Sequence, residues 1–338
     1  MHLPSYAVII LSGFVGMLIG AVLTLACVPL ITPIPIAAFL RRCFGLPSFT
    51  PPDDWKSIDD TVNTITGIEY DSDAGLVMDE HWKNGTRPDD NPCIIWVHGG
   101  GFVGGSRTST TGFCMMLASR GYTVFNIEYG LAPRYHHPRQ VLDLDNALNA
   151  LRSMPASKRP DMSKGVFVGG DSAGAHIAAE YAALRTNPDY ANELGVLLTA
   201  DVRINGCILL CGLYDFTTFL HSSWWRFPVR FFVKHIGWAI TGNRKWFASN
   251  QIRRMDITAN ITSDYPPAFL ADGNRFTFDN QLPVMDKLLS CKHVDHEVMS
   301  FPRGNGHGKL YHEFQFDFRK PESMQVLEGI DAFMREHA

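Results

Sequence analysis

A serine held between glycines, Gly170-Asp171-Ser172-Ala173-Gly174, is the first group in this sequence whose residue types and spacing could carry covalent chemistry. It follows the short apolar run Gly165–Gly169 and precedes the Ala-rich stretch Ala175–Thr186. That is the strand-to-helix context in which a sharp turn lifts a serine Oγ above a sheet edge. The start of the helix adds partial positive charge and backbone N–H groups where an oxyanion would develop. Upstream, His98-Gly99-Gly100-Gly101-Phe102 closes a second apolar run, Cys93–His98. Consecutive glycines let backbone N–H groups approach a substrate oxygen with no Cβ in the way. No Gly-Lys-Ser/Thr follows, so a phosphate cradle is disfavoured, and the pair of motifs points to acyl transfer through a nucleophilic serine.

Such a serine needs a base and a carboxylate to orient it. Among 13 histidines, His307 lies in the Gly-rich turn PRGNGHGKL after the apolar run HEVMSF and is the expected general base, with His312 its nearest competitor. A loop at a strand's C-terminal end is where a base can reach the nucleophile. The carboxylate must reach the imidazole Nδ1, and any buried one in reach would serve. Asp272, at the end of the apolar run Pro267–Ala271, is the expected acid, with Asp279 second and a distant carboxylate or none as the remaining case.

These residues resemble the hormone-sensitive-lipase-like branch of the α/β-hydrolases, which includes arylacetamide-deacetylase-like carboxylesterases. The resemblance covers roughly residues 60–335 and rests on HGGGF at 98–102, Tyr129 with Leu131-Ala132-Pro133, GDSAG at 170–174, and Gly306-His307-Gly308. It implies Ser172 as nucleophile, His307 as base, and the N–H groups of Gly100, Gly101 and Ala173 as the oxyanion hole. The chain departs from the family where an Asp-Pro-Leu turn is expected after the strand near Pro267, because Asn274 or Arg275 stands at the carboxylate position.

The elements that must position these groups are legible as alternation. Short apolar runs at Cys93–His98, Tyr122–Glu128, Gly165–Gly169, Asn205–Leu210 and Pro267–Ala271 read as buried strands. Helical periodicity lies between them at Thr111–Ser119, Arg139–Ser153 and Ala175–Thr186. The expected fold is therefore α/β: a mostly parallel central sheet with helices on both faces. An aromatic and basic insertion, residues 221–247, falls inside a cap expected over about 214–262. Its Trp224, Trp225, Phe231, Phe232, Trp238 and Trp246 would line an apolar pocket or meet a membrane interface.

All 64 Lys, Arg, Asp and Glu follow residue 40. The uncharged run Tyr6–Ile31 is long enough for one transmembrane helix, so residues 1–40 are expected to be a membrane anchor, 41–60 a Pro-rich linker or cap segment, and 61–338 the hydrolase domain. Orientation stays open: Arg41 and Arg42 after the span favour a cytoplasmic body, whereas the sequons at Asn84 and Asn260 permit a lumenal one. A net charge of −4 argues against nucleic acid as a partner. Seven cysteines with no CxxC spacing suggest neither a metal nor a redox motif. The expected activity is hydrolysis of a small carboxylic ester, short-acyl or lipophilic, at a membrane, with no metal or organic cofactor. An amidase or deacetylase using the same site, or a ligand-binding protein on a hydrolase scaffold, are the alternatives.

Overall fold

The computed structural model describes residues 28–45, 49–86, 90–155, 160, 162, 165–221, 229–278 and 280–338. At its centre is an eight-stranded sheet in the order β1-β2-β4-β3-β5-β6-β7-β8. The strands are β1 (Val62–Asp71), β2 (Leu76–Lys83), β3 (Cys93–Val97), β4 (Thr123–Ile127), β5 (Val166–Asp171), β6 (Ile204–Leu210), β7 (Ala268–Asp272) and β8 (His296–Ser300). The first two form an antiparallel hairpin that meets β4 antiparallel, and every pairing from β4 to β8 is parallel. Side chains of β3, β4, β5 and β7 are buried throughout, as sheets covered on both faces require. The five expected strands are present within a residue or two. The helix Arg139–Ser153 is present as expected, and the other two begin two to four residues earlier, at Ala173 and Arg107. β1, β2 and β8 were missed because their residues are half exposed or mixed with charge.

Two apolar layers flank the sheet. On one face Phe113, Leu117, Phe314, Phe316, Leu327 and Phe333 pack against Trp96 and Phe167; on the other the helix Ala173–Thr186 is buried along nearly its whole length. That helix is Ala-rich, and small side chains let its axis approach the sheet.

A lid closes the C-terminal edge of the parallel strands. It contains the helices Ile34–Phe44 and Val229–Thr241, which pack on one another, with Phe39 stacked on Phe232 at 6.2 Å between ring centroids. The expected boundary at residue 40 falls inside the first of these helices, so this part of the leader belongs to the lid. Arg41 fixes it from beneath: its Nε donates to Val103 O at 2.8 Å and a terminal nitrogen to Ala132 O at 2.9 Å. Among the described residues no helix is long and apolar enough to cross a membrane. Most of the expected span, and cap residues 222–228 including Trp224 and Trp225, lie outside the described residues.

The turn after β5 is packed so closely against the end of β3 that glycine is required on both sides of the serine. A Cβ on Gly170 would stand 2.5 Å from Val97 O, and one on Gly174 would overlap the same carbonyl. Gly174→Ala is expected to destabilise the protein by about 1–3 kcal/mol, the usual cost of overpacking. Gly308→Ala, where a Cβ meets nothing, should stay within about 0.5 kcal/mol. Urea denaturation measures both.

Candidate active site

Ser172 sits at the turn between β5 and the helix Ala173–Thr186 with φ 52°, a left-handed backbone that a non-glycine residue rarely adopts. The turn is held by the surrounding sheet: Ser172 N donates to Leu210 O at 2.8 Å, and His176 N closes the first helical turn on Ser172 O at 3.1 Å. Strain of this kind, over-determined by packing, is what keeps the hydroxyl at the mouth of the sheet.

The histidine that meets it is His312. Its Nε2 lies 2.9 Å from Ser172 Oγ. His307, expected as the base, is engaged elsewhere: its Nδ1 is paired with Glu322 Oε1 at 3.1 Å, and its ring leans edge-on against Phe301. The physical reason lies in how the loop after β8 is anchored. His307 stands between Gly306 and Gly308 in an exposed turn. The chain around His312 is instead tied down by buried Leu310 and Phe314, and by Asn274 and Arg275 N–H groups donating to Leu310 O at 2.8 and 2.9 Å. The signal available in the sequence was the apolar spacing Phe314, Phe316, Phe318 directly after His312, which marks where the chain re-enters the core.

Asp272 ends β7, buried, with Oδ1 accepting from Gly273 N at 2.7 Å. A carboxylate oxygen of Asp272, the Cys211 thiol and a ring nitrogen of His312 lie within 4.8 Å of one another. These are the described donors that could gather round a metal ion. Burial and the neighbouring Asp272 push the Cys211 thiol well up, and its Sγ donates to Gln315 Oε1 at 3.3 Å. His312 Nδ1 is buried without a hydrogen-bond partner. Asn274, one of the two positions at which the resemblance places an acid, serves the loop instead: its amide donates to Phe301 O and Gly308 O, and its oxygen accepts from Leu310 N. Asp279 lies outside the described residues.

Gly99, Gly100, Gly101 and Ala173 line the same cavity as Ser172 and His312. Gly100 at φ 119° and Gly101 at φ 59° adopt backbone that explains why the run is glycine. The loop is braced by Asp171, whose Oδ2 accepts from Gly99 N at 2.8 Å and whose Oδ1 accepts from Trp96 Nε1 at 3.1 Å. The cavity holds about 370 Å³, and its walls are Phe44 from the first lid helix, Val233, Ile236 and Ile240 from the second, and Phe216 and Trp246. His176 forms part of the floor, edge-on to both Phe102 and Phe216. Behind it Glu180 accepts from Tyr190 at 2.8 Å and pairs with His137 at 2.6 Å. Burial alone would raise this carboxyl, but His137 and His176 outweigh it and hold Glu180 well below the usual carboxylate range.

A parallel sheet with a strained serine elbow, a glycine loop one strand away and a histidine on the serine defines a hydrolase-type α/β site. The family model described as alpha/beta hydrolase fold matches residues 94–309, and the chain belongs to that family. Esterase LipC of Mycobacterium tuberculosis is 29% identical over 151 residues, 44% of this chain and 36% of LipC. The gibberellin receptor GID1B of Arabidopsis thaliana is 31% identical over 164 residues, 45% of each chain. The matched stretch thus spans less than half the length of either relative. Among solved structures, an inhibited esterase B from Lactobacillus rhamnosis superimposes with a TM-score of 0.69 at 21% identity, covering 86% of this chain and 90% of that one.

His312→Ala is expected to lower ester turnover by at least about 10³-fold, and His307→Ala by less than about threefold. Steady-state kinetics on a p-nitrophenyl ester, with both variants checked for folding, compares them.

Proposed function

We propose that the protein is a serine esterase that cleaves small carboxylic esters with an apolar acyl or alcohol group. The observation that carries this reading is the 2.9 Å contact between His312 Nε2 and Ser172 Oγ on a strained elbow. His312 takes the hydroxyl proton as Ser172 attacks the ester carbonyl, and the tetrahedral oxyanion is held by the N–H groups of Gly100, Gly101 and Ala173. The imidazolium then protonates the leaving alkoxide. Water, activated by the same imidazole, hydrolyses the acyl-enzyme and regenerates the serine. Asp272 is the proposed acid: it is the buried carboxylate beside His312, and closing the remaining gap to Nδ1 would fix the ring's tautomer and stabilise the imidazolium. The aromatic and aliphatic walls of the cavity support an apolar substrate, because little in them could pay the desolvation cost of a charged one.

A fluorophosphonate probe should label the wild-type protein and not Ser172→Ala. Absence of labelling would favour a ligand-binding protein on this scaffold, the role named for the gibberellin receptor. Asp272→Asn should lower kcat by roughly 10²-fold or more with KM little changed; an unchanged kcat would remove Asp272 from the triad.

We also propose that Tyr6–Ile31 anchors this domain to a membrane. The run is uncharged and of spanning length; its last residues Leu30 and Ile31, with Ile34 and Phe39 after it, are four large apolar side chains exposed at the start of the lid. The full chain should remain in the pellet after alkaline carbonate extraction of membranes, and a chain starting at residue 32 should be released. Release of the full chain would refute the anchor.

A further inference from the structure

Glu313 follows the base directly, with φ 62°, and turns its carboxyl under the site. Its Oε1 lies 4.0 Å from His312 Nε2. A Cβ placed on Gly99 would stand 2.8 Å from that same Oε1 and would overlap Asp171 Oδ2, so two carboxyl oxygens converge on one glycine. The two carboxyls are in hydrogen-bond contact with each other. Both oxygens of Asp171 already accept N–H bonds, from Trp96 and Gly99.

Among the described residues, the charged and titratable neighbours offer the pair no lysine or arginine of its own. Cys114, Tyr129 and Cys211 are buried and pushed up, hence neutral at ordinary pH. Asp272 is a further carboxylate. Arg107 is engaged by Asp79 at 2.8 Å and Glu128 at 3.0 Å, and Glu128 also meets His98. Two ionised carboxylates in contact in such a place would repel strongly, and one proton removes the conflict.

We propose that Asp171 and Glu313 share one proton, and that this proton joins the loop carrying His312 to the loop carrying Gly99, Gly100 and Gly101. One carboxyl of the pair donates the shared O–H to the other, while both oxygens of Asp171 also accept N–H bonds. Glu313 is thereby a positioning residue: it acts on the reaction through the placing of His312 and of the glycine loop. Burial and the contact with Glu313 hold Asp171 well above the usual carboxylate range, which favours the shared proton, and rising pH works against it. Its loss leaves two negative charges under the oxyanion site and parts the two loops. Activity therefore falls with rising pH on a limb that belongs to this pair.

Replacement by glutamine tests the idea, since a carboxamide N–H donates to Asp171 at every pH. Glu313→Gln should keep kcat/KM at pH 7 within about threefold of wild type and move the alkaline midpoint up by about one unit or more. Glu313→Ala, which leaves Asp171 without this donor, should lower kcat at least about tenfold with KM little changed. The kinetic half rests on the esterase reading; a second readout does not. Infrared difference spectra of wild type at neutral pH should show the C=O stretch of a protonated carboxylic acid that Glu313→Gln lacks, whether or not the protein turns over an ester. An alkaline limb identical in wild type and Glu313→Gln, or no difference in the protonated-carboxyl band, would overturn the proposal. Failure of fluorophosphonate labelling at pH 7 would instead count against the esterase reading and leave the infrared test standing.

Discussion

The site depends on one close approach, that of the turn after β5 to the C-terminal end of β3. Gly170 and Gly174 both face Val97 O, and neither position has room for a Cβ. This contact places the serine elbow and the glycine loop side by side, since β3 runs directly into His98 and Gly99 while β5 runs directly into Ser172. A nucleophile and a set of backbone donors are useful together only within a few tenths of an ångström, and packed parallel strands hold that tolerance better than loops do.

Around that contact the polar groups are arranged as braces. Trp96 and Gly99 both donate to Asp171, which ties the sheet, the elbow and the glycine loop through one carboxylate. Below the cavity floor Glu180 joins His137, Tyr190 and the helix behind Ser172. The lid is fastened by Arg41 to the glycine loop through Val103 O and to the segment after β4 through Ala132 O. The lid helix Ile34–Phe44 is thereby tied to that loop, and Phe44 forms a wall of the cavity.

The serine elbow and the glycine loop were legible in the sequence because both motifs are backbone requirements. A glycine demanded by a carbonyl contact or a positive φ is written in the residue itself. The inner strands were legible for a related reason, being continuous apolar runs. The outer hairpin β1 and β2 was not, because its half-exposed and charged residues carry no such pattern. The sequence favoured His307 over His312 for the contact with Ser172 because the two sit in the same loop five residues apart, both near glycine or aromatic neighbours. Which of them faces Ser172 follows from the burial of Leu310 and Phe314 and from the grip of Asn274 on the loop.

The sequence by itself determined the serine elbow, the glycine loop opposite it and the alternation that builds a parallel sheet. Each follows from local stereochemistry or from periodic burial, which neighbouring residues suffice to express. Tertiary structure alone decided that His312 is the histidine on Ser172, that Glu313 meets Asp171, and that the helix Ile34–Phe44 closes the cavity. These are contacts between segments far apart in the chain. Their geometry is set by how whole elements pack, and no spacing of residues along one segment encodes it.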